Sequence, residues 1–175
     1  PELIELIAKK LKKVNNIDVG TENVIVTNGG SQAITFSFAT LFNPGDELIL
    51  SSPNFISYFY CGIFYGINVI ESKRNKDFSP NIEDIKQKIN DKTKAILINS
   101  PNNPTGHVLT KKEIDDIADI VIENDLYLIS DEAYENYLYD DAIHISPASL
   151  NGMQERTITL NAMSKLFSAT GISLG

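Results

Sequence analysis

Residues 94–134 read KAILINSPNNPTGHVLTKKEIDDIADIVIENDLYLISDEAY. The apolar run at the start of this stretch predicts a strand, and the Asn, Pro and Gly residues that follow predict a loop. Thr110 and Glu113 have the spacing of a capping box, so we expect a helix over residues 111–124. A second apolar run at 126–130 predicts another strand. Strand, loop, helix and strand in this order indicate a parallel α/β unit.

The same alternation extends in both directions along the chain. A stripe of apolar residues from Leu3 to Val14 predicts a first helix. Further helices are expected over 31–42 and 55–65 and from Ser79-Pro80 to about residue 89, with strands at 24–27, 47–50, 67–70 and 157–160. Short, nearly continuous apolar strands between helices indicate a mostly parallel sheet covered on both faces, which is a three-layer α/β/α fold.

Length and composition limit the classes of protein to consider. The chain has 175 residues, 42% of them hydrophobic, which suits one domain or part of one. Its 23 acidic and 15 basic residues give a net charge of -8, which argues against a nucleic-acid partner. A single cysteine, Cys61, and no apolar run of about twenty residues favour a cytoplasmic protein without a membrane span. Because Pro1 starts within a helical pattern and Gly175 follows an apolar run, we expect truncation at both ends.

Clusters of polar residues follow the predicted strands. In parallel sheets covered by helices, ligands bind beyond the carboxyl ends of the strands. The clusters that fall at those ends occupy residues 28–32, 52–55, 99–106, 131–134 and 161–165. The sequence therefore predicts a ligand site at this edge of the sheet.

The first cluster has the composition of an anion site. Gly29 and Gly30 precede Ser31 and Gln32 at the predicted start of a helix. Free backbone N–H groups and the positive end of the helix dipole both favour a phosphate there. The alternative is a turn that only reverses the chain, and the spacing is not that of a dinucleotide-binding fingerprint.

Two of the later clusters contain polar groups that suit a ligand. Neighbouring prolines can aim Asn102 or Asn103 at a ligand oxygen, although a structural turn with Asx hydrogen bonds explains the same residues. Asp131 follows an apolar strand, where a buried carboxylate requires a positive charge such as a pyridinium nitrogen. The alternative for Asp131 is an exposed acid that pairs with a helix terminus. No role is predicted for Glu132.

Lys165 is the candidate nucleophile. A lysine at the end of an interior strand, among small and apolar residues, can condense with a carbonyl group to form a Schiff base. Most lysines are instead solvated surface charges, and that alternative remains open for Lys165.

Taken together, these motifs resemble those of class I/II aminotransferases, which are fold-type-I enzymes dependent on pyridoxal 5'-phosphate (PLP). The resemblance covers nearly the whole chain, and five motifs occur in the order of the family. They are TNGGSQ at 27–32, PNFISY at 53–58, NNPTG at 102–106, SDEAY at 130–134 and Ser164-Lys165. The resemblance implies that residues 1–175 are part of the PLP-binding large domain, with an N-terminal arm and a small C-terminal domain outside the chain.

The resemblance also implies a role for each site residue. Lys165 is expected to hold PLP covalently and to move a proton during the reaction, while Asp131 pairs with the ring nitrogen. Tyr134 and Asn103 are expected to bind the phenolic oxygen, and Phe55 to stack on the ring. The full set of cofactor contacts implied is Gly30, Ser31, Gln32, Phe55, Asn103, Asp131, Tyr134, Ser164, Lys165 and Ser173.

Two positions depart from the pattern of the family. Many relatives have Ser three residues before the lysine and Arg eight residues after it, both of which contact the phosphate. Here these positions are Ala162 and Ser173. Arginine binds phosphate through paired, charge-assisted hydrogen bonds, so we expect weakened PLP retention.

The resemblance implies transfer of an amino group between an amino acid and a 2-oxo acid, by a homodimer. Residues 1–175 alone are then expected to lack turnover. A lyase or decarboxylase on the same fold is an alternative, because the same lysine and aspartate serve several reactions. Another is a PLP-sensing transcriptional regulator, which requires a helix-turn-helix domain before Pro1.

Overall fold

The computed structural model describes residues 2–169 and 171–175. The helices are α1 (Glu2–Val14), α2 (Gly29–Leu41), α3 (Ser57–Tyr65), α4 (Ile82–Lys88), α5 (Lys111–Glu123) and α6 (Met163–Leu166). The strands are β1 (Glu47–Ser52), β2 (Asn68–Lys73), β3 (Thr93–Asn99), β4 (Tyr127–Asp131) and β5 (Thr157–Leu160). No helix in the described ranges is long and apolar enough to cross a membrane.

The described strands form one sheet in the order β2-β1-β3-β4-β5, and every neighbouring pair is parallel. From β1 the chain moves to one side to add β2. It then returns across β1 to add β3, β4 and β5 on the other side. The direction of winding therefore reverses between β1 and β3, which creates a crevice at the carboxyl ends of these two strands.

Helices cover the sheet on both faces, as the sequence predicts. Side chains alternate between the faces of a strand. In β1, Leu48 and Leu50 pack with Phe38 of α2 and Tyr58 of α3, whereas Ile49 packs against the opposite layer. That opposite layer consists of α4 and α5, which contribute buried isoleucines. The three-layer α/β/α fold is thus confirmed.

The prediction of a strand at 24–27 is wrong. This segment is extended but is not part of the sheet. A strand needs a neighbour along its length, but among residues 2–169 and 171–175 only Gly175 forms backbone hydrogen bonds with this segment from a distant part of the chain. The backbones of Thr27 and Gly175 exchange two hydrogen bonds, of 2.8 and 3.1 Å. The glycine cluster at 28–32 consequently lies at the start of α2 rather than at the end of a strand.

Helix α4 begins later than the sequence predicts. We expected it to open at Ser79 and Pro80, but its first residue is Ile82. The side chain of Asn81 caps the helix by accepting a hydrogen bond of 3.0 Å from the backbone N–H of Asp84. A capping asparagine satisfies a free N–H group at the helix start, whereas proline supplies no such acceptor.

Candidate active site

The polar segments that follow the strands meet at the carboxyl-terminal edge of the sheet. Residues 53–56 follow β1 and residues 100–106 follow β3, so they border the crevice between these strands. Asp131 is the last residue of β4, and it pairs in register with Asn99 of β3 and Leu160 of β5. The sheet therefore brings the central clusters of the sequence to one place.

Asp131 is buried, with 7% of its surface exposed. Its Oδ2 accepts a hydrogen bond of 2.7 Å from the Tyr58 hydroxyl, and its Oδ1 accepts one of 3.0 Å from the backbone N–H of Ala133. Burial raises the pKa of the Asp131 carboxyl above its ordinary value, and these two hydrogen bonds lower it. A cationic ligand atom at this position would compensate for the burial of the carboxylate.

Tyr58 is a site residue that the sequence reasoning missed. Burial, together with the neighbouring Asp131 carboxyl, holds the pKa of the Tyr58 hydroxyl well above its usual range. The hydroxyl therefore stays protonated and acts as a donor. The ring of Phe55 packs edge-on against that of Tyr58, with 5.7 Å between ring centroids, so the expected stacking residue lies beside the Asp131 site. A buried tyrosine needs a hydrogen-bond partner, which was the available signal.

We expect Tyr58→Phe to lower the free energy of unfolding by about 1–3 kcal/mol at neutral pH, because Asp131 loses a donor in a buried position. Without this donor the pKa of Asp131 rises further, so the loss should shrink as pH falls through the raised folded-state pKa of Asp131. The part of the loss due to ionisation should be gone below about pH 4, where the carboxyl is protonated in the folded and unfolded states. Denaturant unfolding at several pH values measures both effects. The matched control is Tyr60→Phe, which removes a hydroxyl from an exposed position of the same helix. Equal losses in the two variants would refute the role of the Tyr58 hydroxyl.

Asn99 joins β4 to the loop after β3. Its side-chain amide donates to the backbone carbonyl of Asp131 at 3.0 Å, and its Oδ1 accepts from the backbone N–H of Asn103 at 2.7 Å. Asn102 has a different task, because its Oδ1 accepts from the backbone and hydroxyl of Thr105. The Asn102 oxygen thus fits the structural-turn alternative, but its buried amide nitrogen has no partner among the described residues, so Asn102 and Asn103 both remain candidates for ligand binding.

Lys165 lies in α6, just after β5. Its amine is 5.9 Å from the centre of the Tyr134 ring, so the structure brings these two predicted site residues together. The Tyr137 hydroxyl donates to the backbone carbonyl of Lys165 at 3.0 Å, and the Tyr137 ring packs edge-on against Tyr134. The expectation that an interior strand leads to Lys165 is wrong for the described sheet, because β5 forms its edge. This order depends on long-range pairing, which the local sequence does not reveal.

The start of α2 forms a close junction with the segments around Lys165. Gly29 has a φ of +76°, which favours glycine, and a methyl group on Gly30 would lie 3.5 Å from Cβ of Ala162. The hydroxyl of Ser173 would lie 3.2 Å from a methyl group on Gly29. Both positions that depart from the family pattern are therefore beside the proposed anion cradle. The side chain of Gln32 turns back to accept from the backbone N–H of Asn28 at 2.7 Å.

Several predicted site groups have no hydrogen-bond partner within residues 2–169 and 171–175. They include the amide nitrogens of Asn102 and Asn103, the Tyr134 hydroxyl and the Lys165 amine, and this amine forms no ion pair with Asp131. Ser31 and Ser164 lie in the first turns of α2 and α6. The arrangement offers an amine for covalent bonding, a buried carboxylate for a cation, and a glycine-rich helix start for an anion.

The fold and these groups define an α/β protein with a candidate site at the reversal point of a parallel sheet, where such folds bind small molecules. The model of one protein family, aminotransferase class I and II, matches residues 1–175. The chain belongs to this family, which confirms the resemblance found in its motifs.

Proteins of known name are similar over the whole chain. The aspartate aminotransferase of Pyrococcus abyssi is 45% identical, over 100% of this chain and 46% of its own length. The aromatic-amino-acid aminotransferase 2 of Thermococcus litoralis is 42% identical, over 99% of this chain and 46% of its own length. The crystal structure of the aromatic aminotransferase from Pyrococcus horikoshii OT3 matches with a TM-score of 0.96 and 46% identity, over 99% of this chain and 48% of that one. This chain thus spans about half the length of these relatives.

Proposed function

We propose that this chain is most of the PLP-binding large domain of an aminotransferase, which transfers an amino group between an amino acid and a 2-oxo acid. One observation carries the proposal. In a chain of the aminotransferase family, the Lys165 amine lies beside Tyr134 and has no partner among the described residues. Lys165 follows β5, and β5 pairs with β4, which ends in the buried Asp131 carboxyl. The names of the relatives support amino transfer over a lyase or decarboxylase reaction.

The start of α2 suits the phosphate of PLP. The first backbone N–H groups of a helix have no acceptor within the helix, and the helix dipole adds positive charge there. We infer that the backbone of Gly30, Ser31 and Gln32 holds the phosphate. Gly29 supports this arrangement through its φ of +76°, a conformation that favours glycine and that turns the chain into the start of α2.

The crevice suits the ring of PLP. Asp131 would pair with the ring nitrogen and keep it protonated, and Tyr58 would hold the carboxyl in place. Tyr134 and Asn103 would donate to the phenolic oxygen, because their side chains have no hydrogen-bond partner among the described residues. Phe55 would cover one face of the ring. When bound with its nitrogen protonated, PLP withdraws electrons from the substrate's Cα.

Lys165 would serve as the covalent anchor and as the proton carrier. Its Nζ is the atom that would hold the cofactor and, once released by the substrate amine, move a proton between the substrate's Cα and the cofactor's C4'. The hydrogen bond from Tyr137 to the Lys165 carbonyl fixes the backbone of α6 while leaving Nζ without a partner among the described residues.

We infer that an N-terminal arm and a small C-terminal domain complete the site, because the chain spans 46% of its relatives. The full-length protein would act as a cytoplasmic homodimer on amino acids and 2-oxo acids. Residues 1–175 alone would then show no turnover.

Absorbance titration with PLP tests the proposed function directly. The full-length protein should develop an absorption band on adding PLP, and borohydride should fix the cofactor on the peptide that contains Lys165. A panel of amino acids with a 2-oxo acid acceptor should then yield the matching 2-oxo acids. Release of ammonia, or carbon dioxide, without amino transfer would favour a lyase or decarboxylase. A protein that binds PLP but catalyses nothing, and carries a helix-turn-helix domain, would favour a regulator.

We expect Ser173→Arg to tighten PLP binding by roughly tenfold or more, because a charge-assisted arginine contact to phosphate contributes about 1.5–3 kcal/mol. Ser173 is exposed beside Gly29, so a longer side chain fits there. The dissociation constant from the absorbance titration is the measurement. The control is Thr40→Arg, which adds the same charge at the opposite end of α2. No tightening at Ser173, or equal tightening at both positions, would show that the missing arginine does not weaken PLP retention.

A further inference from the structure

Glu132 is held in a buried polar network on the face of β4 opposite Asp131. The residue is fully buried, at 0% exposed surface. Its Oε1 accepts from the Ser130 hydroxyl at 2.9 Å, and its Oε2 accepts from Nε2 of His144 at 2.8 Å and from the Ser146 hydroxyl. A buried carboxylate without donors is unfavourable, and here donors reach both oxygens. The Glu132 side chain is therefore fixed in one position.

The network continues to helix α1. The Asn15 amide donates to the Ser146 hydroxyl at 2.8 Å and to Oε2 of Glu135 at 2.7 Å. Lys10 forms an ion pair with the same Glu135 carboxylate. Both ends of the segment 132–135 are consequently fastened by side chains that belong to one network.

The acidic and histidine ligand atoms of the network have the spacing of a cation site, but protein donors already bond to them. Ligand atoms of Glu132, Glu135 and His144 lie within 4.8 Å of one another. However, hydroxyl, amide and ring N–H groups already occupy these oxygens, and His144 bonds directly to Glu132. The Lys10 ammonium supplies positive charge at Glu135. A structural role within the protein explains this cluster without an ion.

The main chain connects Glu132 to the cofactor side of the sheet. The N–H of Glu132 donates to the carbonyl of Leu160 at 2.8 Å, and the Asn161 amide donates to the carbonyl of Glu132 at 3.4 Å. The next N–H, that of Ala133, donates to Oδ1 of Asp131. A shift of Glu132 would thus move the backbone donor that orients the Asp131 carboxyl.

We propose that Glu132, held by His144 and Ser146, is a positioning residue for Asp131 and Tyr134. The inference rests on the proposed function, because it assumes that these two residues contact PLP. Glu132 follows β4, and its side chain bonds to that of Ser130, which lies on the face of β4 opposite Asp131, so Glu132 acts on Asp131 through the backbone. Binding groups must stay within about 0.5 Å of their working positions, and this network provides such support for segment 131–134.

The test is Glu132→Gln in the full-length protein. Glutamine keeps the size of the side chain but carries no negative charge, so the hydrogen bonds from His144 and Ser146 are no longer charge-assisted, and the group that faces Ser130 becomes a donor instead of an acceptor. We expect the dissociation constant for PLP to rise roughly tenfold, which corresponds to the loss of about one charge-assisted hydrogen bond. The pH midpoint of the absorbance change of bound PLP should also shift, because Asp131 and Tyr134 would be displaced.

A stability-matched control separates positioning from general loss of stability. Ile117 is a buried core residue of α5. Of the variants Ile117→Val and Ile117→Ala, the control is the one whose melting temperature is nearer to that of Glu132→Gln. The control should retain the wild-type dissociation constant and pH midpoint. If Glu132→Gln does not fold, Ser146→Ala and His144→Asn each remove a single donor from Oε2 of Glu132 and should produce smaller shifts in the same direction.

The outcomes distinguish this proposal from the function on which it rests. If wild-type protein binds PLP at Lys165 but the Glu132 and donor variants match the stability control, the positioning role is overturned and the proposed function stands. If wild-type protein binds no PLP, or binds it at another lysine, the proposed function fails and the positioning role fails with it.

Discussion

Replacing Lys165 with alanine is expected to slow amino transfer by roughly 10⁴-fold or more, the largest effect of any single substitution in this chain. The variant loses the amine that would hold PLP and also the group that would carry the proton to and from the substrate's Cα. Steady-state rates with an amino acid and a 2-oxo acid measure the loss of the proton carrier. Borohydride treatment followed by peptide mapping measures the loss of the anchor, since no PLP should remain on the peptide that spans α6.

Lys94→Ala is the matched control. Lys94 is exposed near the opposite end of the sheet, where its amine lies 5.4 Å from the centre of the Tyr127 ring. This variant should keep both the rate and the labelled peptide of the wild type. Recovery of PLP on a lysine other than Lys165, or a rate in Lys165→Ala close to that of the wild type, would overturn the central assignment.

Asp131→Asn is expected to lower the rate of amino transfer by roughly 10³-fold, although the side chain keeps its shape. An amide carries no negative charge, so it cannot keep the ring nitrogen of PLP protonated, and electron withdrawal from the substrate weakens. Asp119→Asn, on the exposed side of α5, makes the same chemical change and should leave the rate unaltered. A modest effect at Asp131, comparable with that at Asp119, would mean that the carboxylate does not pair with the ring.

The same substitution should stabilise the protein without cofactor. Burial raises the pKa of Asp131 in the folded state above its ordinary value of 3.8. The folded state then binds this proton more tightly than the unfolded state, so stability falls as pH rises from 3.8 through the folded pKa. Asparagine does not ionise, so the variant does not lose stability as pH rises, and its amide can still form hydrogen bonds with the Tyr58 hydroxyl and the backbone N–H of Ala133. Unfolding experiments should find Asp131→Asn more stable than wild type at neutral pH, with the difference disappearing below about pH 4.

Elements with local signals were predicted well from the sequence. Helix α5 begins at Lys111 as expected, because the capping box of Thr110 and Glu113 involves only its first turn. Strand β5 occupies residues 157–160, as its β-branched run predicts. The motifs at 102–106 and 130–134 pointed to the correct edge of the sheet, since the carboxyl ends of parallel strands necessarily lie together.

Features that depend on distant partners were not predictable in this way. The hydrogen bond between Tyr58 and Asp131 joins residues 73 positions apart, and it exists only because β1 and β4 flank the same central strand. The strand expected at 24–27 lacks a partner beyond Gly175, although its composition favours a strand. Glu132 received no role from its motif, because the neighbouring Asp131 already met the need for a carboxylate. Its partners His144 and Ser146 lie in a later segment that no periodicity connects to it.

The winding of the sheet also bears on how the chain folds. Parallel strands cannot be joined by a tight hairpin, so each pairing waits for a loop to close. Along the chain, β1 and β2 are separated by α3 alone, whereas β1 and β3 are separated by α3, β2 and α4. Longer closures are slower, so the β1-β2 pair should appear early and the β1-β3 contact late. The carboxyl ends of β1 and β3, which border the candidate site, would therefore come together only near the end of folding.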